Sequence, residues 1–330
     1  MPAAIKMLVL RLSLIIGVIV FISGCGESAK KRNSVSLYVD AVALVESNEP
    51  NRAVEKLEQA VEKSPDFAMA YSLLGKIYLQ QNKLPESTQA YQKAVELNPW
   101  SFEDFRALGR VYQLMCDFPS AAVAYTRACE LDAQSCEVQY GAAEAYYKLG
   151  DYESALAYGK AAKGLAPKDS ETERLIGDIC SACSDNEMAI EAYRRSLELK
   201  GSNPKAMLAL AVAYLRTDQY DSAKQLLGSI VAAEPNNAEA WRHLGFVYLK
   251  QREMDTAVQK YLKAIEINPD DWRAHKGLGV AYMMKYGVLK SLEDSQAPDY
   301  RNLALRHWSR SLDLNPAQDK LLKLYRKYMQ

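Results

Sequence analysis

A surplus of charge of either sign is missing from this chain of 330 residues, in which 41 Lys and Arg face 41 Asp and Glu. A neutral chain without a basic stripe of interleaved aromatics lacks the electrostatic footprint of a nucleic-acid binder, so that class of partner is excluded. Histidine is nearly absent. His243, His275 and His307 are scattered, with no convergent ligand pattern, and no metal site is expected. Once Cys25 is set aside, Cys116, Cys129, Cys136, Cys180 and Cys183 form an odd set, which does not fit a disulfide framework. Cys180 and Cys183 have the spacing of a redox or metal pair, but no second pair accompanies them, and adjacent helical turns do not suit an unstrained disulfide. Core filling and redox or metal use both stay open for this pair. No glycine-rich phosphate loop follows a strand, no Ser, Cys or Lys stands in a nucleophile motif, and no segment is left over for a catalytic domain. Neither an enzyme nor a cofactor is expected.

What the chain has instead is a period. Strides of 34 residues land on Ala41, Gly75, Gly109, Ala143, Gly177, Ala211, Gly245 and Gly279. Three residues on they meet Leu44, Tyr78, Tyr112, Tyr146, Cys180, Tyr214, Tyr248 and Tyr282, and a third phase runs Ala53, Ser87, Ala121, Ala155, Ala189, Ala223 and Ala257. A period of this length marks stacked units, none of which buries its apolar face alone. Small residues let two helices approach closely, and the neighbouring Tyr or Leu is expected to fill the space beside each contact. Prolines 65, 99, 167, 235, 269 and 316 fall where each second helix should end, because the residue before a proline is pushed out of the helical region. Ala133 and Gly201 replace proline at two of these turns.

Period and phases together resemble the tetratricopeptide repeat. The resemblance implies an all-α fold, a right-handed solenoid of helix-turn-helix units, with a C-terminal capping helix. Seven contiguous units occupy residues 34–271, and an eighth occupies 272–316. In the eighth, Ala304 follows Tyr282 by 22 residues where Ala257 follows Tyr248 by 9, so an insertion lies at about 283–303, expected to extend one helix and then loop. It belongs to a binding face or is a tolerated surface addition. Residues 317–330 read as the cap, with Leu321, Leu322, Tyr325 and Tyr328 against the stack and Lys320, Lys323, Arg326 and Lys327 in water.

The N-terminus has the order of a secretory signal. Lys6 and Arg11 lead into the apolar run Leu12 to Ile22, which ends at Ile22-Ser23-Gly24-Cys25. The last four residues resemble the bacterial lipobox, which implies a signal peptide at 1–24, diacylglyceryl transfer to Cys25, and cleavage before it. An uncleaved anchor is the alternative, although Met7 to Ser23 is short for a span and contains Arg11. Cys25 and a short linker to residue 33 would then tether the repeats to a membrane, and several acyl chains at one site anchor stably. Gly26 after the cysteine is similar to lipoproteins sent to the outer membrane, facing the periplasm, in two-membrane bacteria.

The resemblance also implies a concave groove lined by the first helix of each unit, and hence protein or peptide partners. Its early part would offer Lys76, Arg106 and Arg110, and its middle Tyr140, Glu144 and Tyr147. Its end turns apolar, with Leu208, Val212, Phe246, Leu249 and Val280, and with Arg242 and Lys250 at the rim around Phe246. Exposed apolar residues in a row mark a contact site, unless neighbouring helices or the insertion cover them. Val42 and Lys76 stand where some relatives clamp chaperone tails with asparagine, so that ligand is disfavoured. The expected function is a membrane-anchored, non-catalytic scaffold in bacterial envelope assembly, of a pilus or secretion-type machinery. The alternatives are an exopolysaccharide-export scaffold and an accessory subunit of a separately encoded glycosyltransferase.

Overall fold

A computed structural model of the protein describes residues 27–201 and 203–329, which form 17 helices and no strand. The segment expected as a signal sequence, and Cys25, lie outside the described residues. The chain divides into two compact units, Met1–Asp151 and Tyr152–Gln330.

The first unit holds α1 (Glu27–Glu46), α2 (Pro50–Lys63), α3 (Ala68–Gln80), α4 (Leu84–Leu97), α5 (Phe102–Leu114), α6 (Phe118–Leu131) and α7 (Cys136–Leu149). The second holds α8 (Tyr152–Leu165), α9 (Ser170–Ala182), α10 (Asn186–Leu199), α11 (Pro204–Arg216), α12 (Tyr220–Ala233), α13 (Ala238–Lys250), α14 (Met254–Ile267), α15 (Trp272–Ser291), α16 (Ala297–Leu314) and α17 (Asp319–Met329). Residues 27–33, expected as linker, are already helical and form the start of α1.

The turns follow the period. Inside the repeats the chain reverses through a left-handed residue at Asn48, Asn82, Cys116, Gly150, Ser184, Asp218 and Arg252, each 34 after the last. Between repeats, every proline of the series 65, 99, 167, 235, 269 and 316 lies two residues beyond the last helical residue. Ahead of Pro65 and Pro269 the backbone has opened to φ −137° at Ser64 and −130° at Asn268. Asp132 and Lys200 adopt the same geometry, φ −143° and −140°, ahead of Ala133 and Gly201. Helix packing therefore sets these turns, and proline reinforces them.

Packing inside each repeat corrects the expected partner of the small residues. The ring that seats on a first-helix glycine comes from the second helix, 16 residues on, and not from the tyrosine one turn away. A Cβ built on Gly75 would lie 2.7 Å from the Tyr91 ring, on Gly109 2.8 Å from Tyr125, and on Gly245 2.9 Å from Tyr261. Repeats with Ala41 and Ala211 place Leu57 and Leu227 at that spacing, and all four side chains are fully buried. In these repeats a smaller second-helix side chain faces the larger first-helix residue, as close packing requires, whereas the fourth repeat has the small pair Ala143 and Gly159 at that spacing. The first-helix tyrosines lie instead toward the preceding repeat. Tyr78 Oη donates to Glu58 Oε1 at 3.0 Å, and Gln92 Nε2 donates to Tyr112 Oη at 2.6 Å.

The eighth repeat keeps this seat with a larger ring, Trp308 against Gly279. Its insertion, expected to extend one helix and then loop, lengthens both helices. α15 has 20 residues against 13 in α13, and α16 has 18 against 14 in α14. Only the turn 292–296 is non-helical, with the left-handed residue shifted to Glu293. On α17 Leu321 is buried, and Tyr328 packs against Trp308 and Tyr286 with centroids 6.3 and 6.4 Å apart.

Gly245→Leu should destabilise the second unit by about 1–3 kcal/mol or more, because the new side chain meets the Tyr261 ring. Thermal denaturation of Gly245→Leu and of Gly245→Leu/Tyr261→Ala checks this. Removing the ring should return part of the loss, and simple additivity would count against the seat.

Candidate functional site

The first helices α11, α13 and α15 of the second unit place Val212, Phe246 and Val280 one period apart. Residues four apart share a helix face, so Arg242, Phe246 and Lys250 line up along α13, and Leu208, Val212 and Arg216 along α11. The three helices border a cavity of about 730 Å³ whose apolar wall includes Val212, Leu215, Phe246, Leu249, Val280 and Met284. Leu208 lies outside it and packs into the core around Leu227. Val212, Phe246, Leu249 and Val280 are half-buried, so their neighbours cover part of the stripe and leave the rest open.

The rim is basic. Arg216, Arg242, Lys250, Arg252, Arg273 and Lys276 border the cavity, and no carboxylate does. Only Arg242 is neutralised, bonding Glu239 at 2.8 Å and Asp271 at 3.1 Å. Lys250 stands over the Phe246 ring at 5.4 Å, and Arg273 over Trp272 at 4.5 Å, both within cation–π range. His243, on the wall, is held below its ordinary pKa by burial, although Glu239 opposes that shift. Sequence reasoning named only Lys250 and Arg242 among these cations. Arg216 precedes Lys250 by one period, and Arg242 precedes Lys276 by one, which is the signal that identifies the basic rim.

The first unit has its own cavity, of about 760 Å³, and it brings Lys76, Arg106 and Arg110 together. These cations are not a basic patch, because Glu103, Asp104 and Glu137 line the same space. Arg106 is bound to Glu103 and, at 2.7 Å, to Glu137. Tyr140, Glu144 and Tyr147 lie on α7, all half-buried, and none lines this cavity. Glu144 accepts from Gln113 Nε2, whose side-chain oxygen accepts from Tyr125 Oη at 2.8 Å, so Glu144 is tied to the glycine-seated ring of its own unit.

Cys180 belongs to a buried cluster with Ile176 and Tyr193, and burial pushes its thiol above the ordinary value. Its neighbour Cys183 is exposed and both thiols are free. Among the described residues no group of three metal-ligating side chains converges.

His275 and His307 pair within the eighth repeat. His275 Nε2 lies 3.1 Å from the Pro269 carbonyl, which only an N–H can satisfy, so its Nδ1 is left to accept from His307 Nδ1 at 3.0 Å. Tyr282 stacks on His307 with centroids 5.8 Å apart. Burial, with help from His275 and Arg306, pushes His307 down from 6.5 to about 4.

Comparison with known proteins places this geometry. The tetratricopeptide repeat profile matches residues 38–99 and 106–170, and the profile of the cytochrome c-type biogenesis protein H TPR domain matches residues 164–274. The BBSome complex member bbs-4 of Caenorhabditis elegans is 36% identical over 73 residues, which are 22% of this chain and 16% of that relative's own length. Among solved structures, the APC/C hetero-tetramer Cut9-Hcn1 superposes with a TM-score of 0.57 at 16% identity, over 89% of this chain and 55% of that one. Pseudomonas aeruginosa pilF gives 0.52 at 23% identity, over 63% of this chain and 94% of its own. YrrB, described as a TPR protein with an unusual peptide-binding site, gives 0.50 at 21% identity, over 57% and 96%. Likeness at these identities shows the fold, which is all-α and of the tetratricopeptide solenoid type.

The His275–His307 pair makes the second unit acid-sensitive. His307 has a folded-state pKa below its unfolded value, so its contribution to stability is complete above about pH 6.5 and is lost as pH falls toward 4. In melts monitored by circular dichroism across that range, His307→Asn, which keeps a donor for His275 but does not titrate, should lose less stability than the parent. Equal pH dependence of the two proteins would contradict the assignment.

Proposed function

We propose that this chain is a lipid-anchored, non-catalytic adaptor that captures a protein segment in the groove of its second unit. The observation that carries the reading is the apolar stripe of Val212, Phe246 and Val280, which lines a cavity and is left partly open. Half-buried aromatic and aliphatic side chains at the centre of a concave face are the usual anchors of such contacts. A peptide-binding site in YrrB accords with a groove of this kind. Cys25 and the run before it supply the tether, and the process served is assembly in a bacterial envelope, of a pilus or secretion-type machinery. A second reading, biogenesis of c-type cytochromes, is favoured by the profile match over residues 164–274, which spans α11 and α13 of this groove. Deletion of the gene separates the two: loss of pili or of assembled secretion channels supports the first, and loss of c-type cytochromes alone supports the second.

Cys25→Ser should abolish palmitate labelling and leave an uncleaved or soluble precursor. Labelling and membrane retention that persist in this variant would rule out the anchor.

Phe246→Ala should weaken partner capture about tenfold or more, since loss of an anchor residue costs about 2 kcal/mol. Cross-linking on membranes with quantitative mass spectrometry measures the capture, and circular dichroism checks that helicity is kept. Full capture in Phe246→Ala would move the binding site elsewhere.

A further inference from the structure

Five of the six cations around the groove of the second unit, Arg216, Lys250, Arg252, Arg273 and Lys276, are exposed and form no ion pair among the described residues. The protein as a whole is neutral, with 41 charges of each sign, so these five are a local concentration and not background. In the first unit the comparable cavity is balanced, three cations facing three carboxylates. The difference lies where the apolar stripe lies.

From this we infer that the groove of the second unit is built for an acidic apolar peptide segment of a partner protein, with apolar side chains against Phe246 and Val280 and carboxylates at Arg273, Lys276 and Lys250. The inference rests on the reading of the groove as a binding site and adds the chemistry of what it binds. Unpaired cations around an apolar floor raise the local potential. They draw in a segment of opposite sign and reject a basic one, which supplies specificity and encounter rate beyond the apolar contact. The chain's own terminal helices have the wrong sign to fill the site: α1 carries Lys30, Lys31 and Arg32 near its start, and α17 carries Lys320, Lys323, Arg326 and Lys327. Placement of the cations supports a narrow fit. Lys250 stands one helical turn beyond Phe246, so an apolar group reaching that ring brings its neighbours within reach of charge.

A random peptide library displayed on phage and panned against the full chain tests this directly. Enriched peptides should carry Asp or Glu beside Leu, Ile or Phe. One of them, synthesised and labelled, should bind with an affinity that falls as salt rises. Its affinity should fall about tenfold or more, equivalent to about 1.4 kcal/mol, in Arg273→Glu/Lys276→Glu, and stay unchanged in Arg106→Glu/Arg110→Glu. Circular dichroism melts of each variant confirm folding, and Arg273→Gln/Lys276→Gln should give an intermediate affinity. Enrichment of neutral or basic peptides, or binding indifferent to the charge reversal, overturns the inference. So does a failure to select any peptide while the chain binds anionic phospholipid vesicles through Arg273 and Lys276, or dimerises through them. Partner capture lost in Phe246→Ala but untouched by the charge reversal would leave the groove as the binding site and remove only its acidic specificity. Capture indifferent to Phe246→Ala would remove the groove itself.

Discussion

The rest of the fold depends on a steric constraint inside the helical hairpin, where an aromatic ring fills the volume that a side chain on the facing helix would need. Tyr91, Tyr125, Tyr193 and Tyr261 each lie on a glycine 16 residues earlier. The ring thereby fixes both the distance and the axial offset of the two helices. It also reaches forward, since Tyr125 approaches Gly141 and Tyr261 approaches Gly277 on the next first helix. One side chain thus sets two interfaces, that within a repeat and that with its successor. Because each repeat is stabilised chiefly through its neighbours, the first helices are held in fixed spacing, and the stripe of Val212, Phe246 and Val280 is a consequence of that spacing.

The two cavities show how the same scaffold yields different chemistry. In the first unit Arg106 meets Glu103 and Glu137, and carboxylates equal cations around the cavity. In the second, carboxylates are confined to the surroundings of Arg242 and His243, and the remaining cations face solvent. Lys250 and Arg273 lie over aromatic rings, so part of the charge is braced against the groove wall without being cancelled. The ion pairs Glu103–Arg106 and Glu239–Arg242 occupy the same two phases of the repeat, and the difference resides in the further cations of the second unit, Lys250, Arg252, Arg273 and Lys276.

Much of this fold is legible in the sequence because a period multiplies weak signals. One glycine says little, but eight small residues at constant spacing locate every first helix, and the prolines locate the ends of most second helices. The coupling of two phases is harder to read one phase at a time. Ala41 with Leu57 and Gly75 with Tyr91 become evident only when positions 16 apart are read as a pair, because the size of one side chain answers the size of the other. At the groove, the apolar stripe was readable while four of the six rim cations were not. An arginine such as Arg252 reaches the cavity from a turn, and no helix-face rule places it there. Arg106 and Arg110 mislead in the opposite sense, since the carboxylates that offset them stand at other phases. The division at 151/152 has no sequence mark beyond Gly150, whose left-handed turn repeats elsewhere in the chain.

The eighth repeat shows what lengths such a fold accepts. Its first helix is longer than that of the seventh by seven residues, 20 against 13, and seven residues are nearly two full turns, a drift of only about 20°. Residues beyond the addition therefore keep the facing they would have had without it. The reversal at Glu293 follows seven residues beyond the place the period assigns it, carried about 10 Å outward at the helical rise. Any length far from a multiple of a turn would have swung the arm to another side of the hairpin. Growth of this solenoid thus comes in rotational quanta, and an arm added in sevens is a way to extend a repeat while its core remains unaware of the change.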